Sequence, residues 1–126
     1  MGIKKVLVVD DDREWNLLLK MRLELAGFRS EQAFNGKEAI QKVNEGRPDL
    51  ILLDITMPEM DGWDVCKALR DRPDTKDLPI IIISSFSQTE DIERGKSFRV
   101  KHYIIKPCSP KTVLQNVSAI LSPQGS

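Results

Sequence analysis

A chain of 126 residues with 40% apolar side chains makes one domain with one well-filled core and little else. Nineteen lysines and arginines balance nineteen aspartates and glutamates, so the basic excess expected of a nucleic-acid binder is missing and no direct nucleic-acid partner is expected. No apolar run reaches the length of a membrane span, the first apolar stretch is too short for a secretory signal, and Val6 breaks the myristoylation pattern after Met-Gly; the expected location is the cytoplasm, with no membrane partner.

The elements alternate along the chain. Val6–Val9 is a short β-branched run that predicts a strand. Arg13 to Ala26 comes next with helical patterning, and Gly27 is a natural stop. A weaker strand near Phe28–Ala33 precedes a helix near Lys37–Glu45. Gly46 and Pro48 then punctuate the chain before the apolar strand Leu50–Leu53. A helix near Trp63–Arg70 leads to the polar turn "DRPDTKDLP". Four isoleucines, Ile80–Ile83, predict a buried strand. A weak helix near Thr89–Lys96 and a strand at Tyr103–Ile105 come after it. The last helix, Lys111–Leu121, carries Ser109 as N-cap and Pro110 at its first position. The tail "SPQGS", 122–126, predicts a flexible end to a single domain with its core at about 3–121.

Five strand–helix pairs with continuous apolar strands predict an α/β fold: a doubly wound parallel sheet with helices on both faces. Such sheets place ligand chemistry at the carboxyl ends of their strands. Here those ends carry Asp10, Asp11 and Asp12 after the first strand and Asp54 after the third. Ser84 and Ser85 come after the fourth, and Lys106-Pro107 after the fifth. Taken singly, each is an ordinary cap or turn residue. Together they gather carboxylates and one lysine on a single edge. Two carboxylates about 4 Å apart repel by roughly 4 kcal/mol at an effective dielectric near 20. The cluster therefore needs a counter-charge: a divalent cation, the lysine, or both. All-oxygen ligation suits Mg²⁺. The cysteines Cys66 and Cys108 lack metal-site spacing and read as reduced thiols, and the single His102 excludes a multi-histidine site.

The segments "VLVVDDD", "LILLDITMPEMDG", "PIIIISS" and "YIIKP" occur in order, and across residues 3 to 121 the chain resembles the response-regulator receiver domain of two-component signalling. The resemblance implies a flavodoxin-like (βα)5 fold with strand order 2-1-3-4-5. It implies that Asp54 takes a phosphoryl group from a sensor histidine kinase or a histidine phosphotransfer protein. Asp11 would bind Mg²⁺ directly, Asp10 mainly through water, Asp54 as the acceptor, and Thr56 through its backbone carbonyl. Ser84 and Lys106 would hold the phosphoryl oxygens. Ser84 and Tyr103 would form the switch, and the face of the fourth helix, fifth strand and fifth helix would meet a downstream protein partner. Such a domain catalyses its own phosphorylation and dephosphorylation and is otherwise no enzyme. Asp12 reads as a neighbour of this site.

Some positions depart from the family pattern. Ser85 adds a second hydroxyl. Arg99 stands where a glycine usually ends the fourth helix, which leaves that helix end without its usual residue. Phe86 and Thr56, each two residues past a site residue, are expected at the pocket mouth. On the first helix, at roughly 100° per residue, Leu18, Leu19, Met21, Leu25 and Ala26 share one face, expected to pack on the core; Asn16, Lys20 and Glu24 share the opposite one. The other option for the apolar face is a docking surface for the kinase, with Trp15 included. Trp63 is expected to pack at the start of the third helix. Two other classes compete. A small Mg²⁺-dependent phosphatase with an Asp nucleophile wants a second Asp two residues on, where this chain has Thr56. A flavin module wants a phosphate loop rich in Gly, Ser and Thr, where this chain has three aspartates. A non-phosphorylated interaction domain remains the third alternative.

Overall fold

The computed structural model describes residues 2–121, so the tail expected at 122–126 lies outside the described residues. Within them, strands and helices alternate: β1 (Lys5–Val9), α1 (Arg13–Leu25), β2 (Arg29–Ala33), α2 (Gly36–Glu45), β3 (Leu50–Leu53), α3 (Gly62–Arg70), β4 (Ile80–Ser84), α4 (Thr89–Ser97), β5 (His102–Ile105) and α5 (Pro110–Ile120). All strand pairs are parallel, in the order β2-β1-β3-β4-β5. The expected elements are all present, with ends moved by one residue in most cases. This is the flavodoxin-like, doubly wound arrangement.

Side-chain alternation along the strands builds two cores. Leu7, Val9, Ile51, Leu53, Ile80 and Ile82 face α2 and α3, against Ala39, Val43, Trp63, Val65 and Leu69. Val6, Val8, Leu50, Leu52, Ile81 and Ile83 face α1 and α5, against Leu19, Leu23, Val113 and Val117. Both faces are covered, which is why the central strands need no polar alternation.

The first helix corrects the sequence reading. Its buried residues are Asn16, Leu19 and Leu23. Leu18, Met21 and Leu25 are exposed, Leu25 at 84%. The core-facing stripe is rotated away from the most apolar arc because Asn16 belongs to it. Its amide nitrogen lies within 3.3 Å of Val8 O and 3.0 Å of both Asp10 O and Ala33 O. The amide nitrogen serves carbonyls at the ends of two strands, while the buried Oδ1 has no partner among the described residues, and hydropathy cannot register this donor role.

Helix ends obey local chemistry. Asp12, Asn35, Asp61 and Ser109 each accept a backbone N–H of the first turn of α1, α2, α3 and α5. Gly27, at φ 97°, closes α1 with Phe28 N donating to Leu23 O and Gly27 N to Glu24 O. The end of α4 repeats this motif on a different residue: Val100 N donates to Gly95 O and Arg99 N to Lys96 O, with Arg99 itself at φ 60°. The helix thus ends where a glycine would have ended it, on a side chain that disfavours the left-handed conformation.

Arg70 joins the loops at the lower edge of the sheet. Its guanidinium donates to Phe98 O at 2.7 Å, Leu78 O at 2.8 Å and Thr75 O at 3.2 Å. Burial pulls its pKa down from the usual value, with Arg99 adding to the effect. Trp63 packs at the start of α3 as expected. It stacks on Phe98 at 6.0 Å between ring centroids, with the Arg94 guanidinium 4.8 Å from its ring.

Candidate functional site

Register places the site. Val9 pairs with Leu53, and Ser84 with Ile105. The ladder runs one residue further: Asp54 N donates to Val9 O at 2.9 Å, Asp10 N to Ala33 O at 3.1 Å and Lys106 N to Ser84 O at 2.8 Å. Asp10, Asp54 and Lys106 are thus fixed by strand hydrogen bonds at the carboxyl edge of the sheet. A carboxylate can close an apolar strand here because the sheet itself holds its backbone.

Asp10 and Asp54 are 3% and 5% exposed, while Asp11 faces solvent. Carboxylate oxygens of all three lie within 4.8 Å of one another. Lys106 Nζ reaches across, 3.0 Å from Asp10 Oδ2 and 3.5 Å from Asp54 Oδ2. Asp10 Oδ1 accepts Asp12 N at 2.9 Å, and Asp54 Oδ1 accepts Thr56 N at 3.0 Å and the Thr56 hydroxyl at 3.3 Å. Asp12 itself caps α1 through Trp15 N and takes no place in the triad.

Burial pushes the Asp10 carboxyl above the usual carboxylate range, against the Asp12 N–H and Lys106, which pull it down; Asp54 adds to the upward push. Burial pulls Lys106 down, yet the bond to Asp10 and the charges of Asp54 and Asp10 outweigh it, and the ammonium is held above its ordinary value. One lysine thus stands against three carboxylates. The uncompensated negative charge, the all-oxygen donor set and the open side at Asp11 fit a Mg²⁺ ion that keeps part of its water shell.

Ser84 is buried, and its hydroxyl accepts Phe86 N at 3.1 Å. Tyr103 is half-buried beside Ile82, and its hydroxyl donates to Phe86 O at 2.7 Å. Burial, then Asp91, raises the Tyr103 pKa. The chain Ser84–Phe86–Tyr103 connects the site to β5. Phe86 is 40% exposed and Thr56 is exposed, as their positions past the two strands imply.

The structure brings together Asp10, Asp11, Asp54, Thr56 and Lys106, with Ser84 at the end of the adjacent strand. Sequence reasoning missed Gly62. Gly62 N donates to Ile55 O at 3.0 Å, and a Cβ at this position would lie 2.5 Å from Asp54 O and 2.7 Å from Ile55 Cα. The start of α3 is therefore in backbone contact with the segment that carries Asp54. The "DG" pair marked a turn, but no local pattern reveals such a close approach.

A parallel five-stranded sheet with an acidic triad and a lysine at its carboxyl edge defines the class of the chain, a flavodoxin-like fold with an acidic pocket. Residues 6–118 match the family model of the response regulator receiver domain. The chain belongs to that family. It is 40% identical over 117 residues to the transcriptional regulatory protein ResD of Bacillus subtilis, covering 93% of this chain and 48% of that protein. It is 34% identical to the phosphate regulon transcriptional regulatory protein PhoB of Rhizobium meliloti, covering 94% and 52%. The chain thus spans about half the length of these curated relatives. The structure of the chemotaxis protein CheY4 of Vibrio cholerae superposes with a TM-score of 0.89 at 32% identity, over 95% of this chain and all of that one. Among the described residues no helix is long and apolar enough to cross a membrane.

Proposed function

We propose that Asp54 is the phosphoacceptor of a two-component signalling domain and that Asp10, Asp11, Asp54 and the Thr56 carbonyl hold Mg²⁺. The observation that carries this reading is the placement of a nearly buried Asp54 beside one lysine and two further carboxylates. A carboxylate attacks an anionic phosphoryl donor poorly, because like charges repel. Bound Mg²⁺ would supply the charge neutralisation that lets the phosphoryl group approach. The chain's residues do the rest. The Lys106 ammonium, now on Asp10 and Asp54, is placed to take a phosphoryl oxygen. The Thr56 N–H orients the Asp54 carboxylate. The Ser84 hydroxyl supplies a donor at the end of the neighbouring strand. The donor is a phosphohistidine of a sensor kinase or phosphotransfer protein, and the domain is one cytoplasmic unit spanning the chain.

Output runs through the link between Ser84, Phe86 and Tyr103. A phosphoryl group that draws the Ser84 hydroxyl disturbs the residue whose carbonyl holds Tyr103. The face of α4, β5 and α5 then changes its preference for a protein partner. No contact of this domain with nucleic acid is part of this reading.

The test is covalent labelling. The protein is incubated with Mg²⁺ and a small phosphodonor and its intact mass is measured. One acid-labile phosphoryl group is expected on the wild type and none on Asp54→Asn. Equal labelling of the two would refute the assignment.

A further inference from the structure

At the amino edge of the sheet, opposite the acidic triad, lies a cavity of about 180 Å³ lined by Arg70, Lys76, Asp77, Pro79, Arg99 and Lys101. Three segments supply its walls: the last residue of α3, the loop that leads into β4, and the turn from α4 into β5. Pro79 and Lys101 each directly precede a strand, and Lys101 N donates to Ile80 O at 2.7 Å, so the sheet fixes this wall.

We propose that this cavity binds a small polyvalent oxyanion of the phosphate class, held by Lys76, Arg99 and Lys101 beside Arg70. The site lies at the other edge of the sheet from Asp54 and does not depend on the phosphoacceptor reading.

Charge is the first argument. Four cations and one carboxylate line the cavity, which leaves an excess of three positive charges in a chain whose bases and acids balance at nineteen each. Among the described residues none of the four cations forms an ion pair, and neither does Asp77. Arg99 gives one Nη2 bond to Lys76 O at 3.4 Å and keeps the rest of its fork free for a ligand.

Helix dipoles explain only part of this crowding. Arg70 ends α3 and Arg99 follows the end of α4, where a cation is favoured. Lys76 and Lys101 lie outside both helices. The carbonyls that would repel an anion at this edge are engaged by Arg70, which donates to Phe98 O, Leu78 O and Thr75 O. Burial is the main cause of the lowered Arg70 pKa; Cys66 and Asp77 oppose it and Arg99 adds to it. The two guanidiniums are therefore close enough to repel, and an anion between them relieves that repulsion.

Size and backbone narrow the ligand and its holder. The volume is below the roughly 300–1,000 Å³ of pockets that enclose drug-sized molecules, so the group it holds is compact. A phosphate-class anion offers several oxygen acceptors to guanidinium and ammonium donors from three segments at once, which a halide does not. Arg99 also keeps a left-handed backbone, at φ 60°, that glycine takes without strain. A strained residue whose side chain lines a cavity short of counter-charge is a functional candidate.

The experiment titrates the full chain with inorganic pyrophosphate in Mg²⁺-free buffer at low ionic strength, following backbone amide shifts by nuclear magnetic resonance. Saturable shifts are expected at Lys76, Asp77, Arg99 and Lys101, and none of them with sodium chloride at matched ionic strength. Arg99→Gly and Lys101→Gln are each expected to weaken binding by roughly two- to fivefold, the size of an exposed charge contact. Asp77→Asn is expected to tighten it by a similar factor. Glycine suits the left-handed turn, so Arg99→Gly removes the cation without unfolding the helix end. Shifts confined to the amides around Lys106, shifts that sodium chloride reproduces, or an affinity unchanged in all three variants would overturn the site.

Discussion

Gly62→Ala is the perturbation that best tests how the site is held. The glycine is buried at the start of α3, and an added methyl would meet Asp54 O at 2.5 Å, Ile55 Cα at 2.7 Å and Ile55 Cδ1 at 2.8 Å. Ordinary contact between such atoms begins near 3.5 Å, so α3 and the segment after β3 have to part by about 1 Å. Two of these three atoms are backbone, and the strand ladder fixes them through Asp54 N on Val9 O. No side-chain rotation relieves the clash. Overpacking of this kind costs about 1–3 kcal/mol, and the upper half of that range applies because backbone has to move. For a domain of this size that lowers the thermal midpoint by roughly 6–12 °C. The assay is thermal unfolding monitored by far-ultraviolet circular dichroism. The control is Gly46→Ala, whose added methyl meets only the flexible Nζ end of Lys5, at 3.0 Å; its midpoint should stay within about 3 °C of wild type. A Gly62→Ala midpoint as close to wild type as that control would refute the claim that the contact is rigid. Labelling of Asp54 should slow in the same variant, since the displaced segment carries the carboxylate.

Two further predictions concern the α4 terminus and a core thiol. Arg99→Gly relieves a left-handed backbone that costs an ordinary residue about 1–2 kcal/mol, offset in part by the greater freedom of unfolded glycine and by loss of the 3.4 Å bond to Lys76 O; the urea midpoint should rise by the equivalent of about 0.5 kcal/mol, and a fall would contradict the strain at this position. Burial pushes the Cys66 thiol from 9.0 up to about 12. The unfolded chain therefore releases this proton near pH 9 while the folded one keeps it. Stability falls as pH rises through that window, by up to about 1.4 kcal/mol per unit. Unfolding titrations of wild type and Cys66→Ala should diverge in slope above pH 9, and parallel curves would show that the thiol is not held neutral by the core.

Much of this molecule is readable in one dimension. The strands Leu50–Leu53 and Ile80–Ile83 are continuous apolar runs, and only a two-sided sheet explains such runs. The site is readable for the related reason that parallel strands deliver the residues just past their ends to one edge, so Asp10, Asp54 and Lys106 converge although the chain separates them widely. The features that escaped have a common physical cause: they depend on where backbone groups lie. The Asn16 amide is buried because three carbonyls wait for it, so α1 turns Leu18, Met21 and Leu25 outward. Gly62 is required by a neighbour that is near in space and defined by the fold. Arg99 is legible in the sequence as standing in a glycine's place, and what escaped is only that the helix still ends there in the left-handed turn, with Arg99 N on Lys96 O and Val100 N on Gly95 O. Hydropathy sees side chains, and these three positions answer to main-chain atoms.

The four carbonyls around Arg70, the fourth being Arg99 O at 3.5 Å, give α4 the mechanics of a lever. Phe98 and Arg99, at its lower end, are pinned through one guanidinium to the loop before β4. Its upper end, at Gln88 and Thr89, is exposed, and the helix buries Gly95 close to the pinned end. A rod of nine residues is about 13 Å long. Fixed at one end, a helix that moved under the proposed switch would swing rather than slide across the sheet. A swing of roughly 10° carries the upper end through about 2 Å and leaves Phe98 in place, given that length. The displacement is greatest beside Phe86, whose carbonyl takes the Tyr103 hydroxyl. Under the proposed switch, the fulcrum and the place where force is applied would thus sit at opposite ends of one short helix, and a small pull at the top would be read out as a change of angle along its whole outer face.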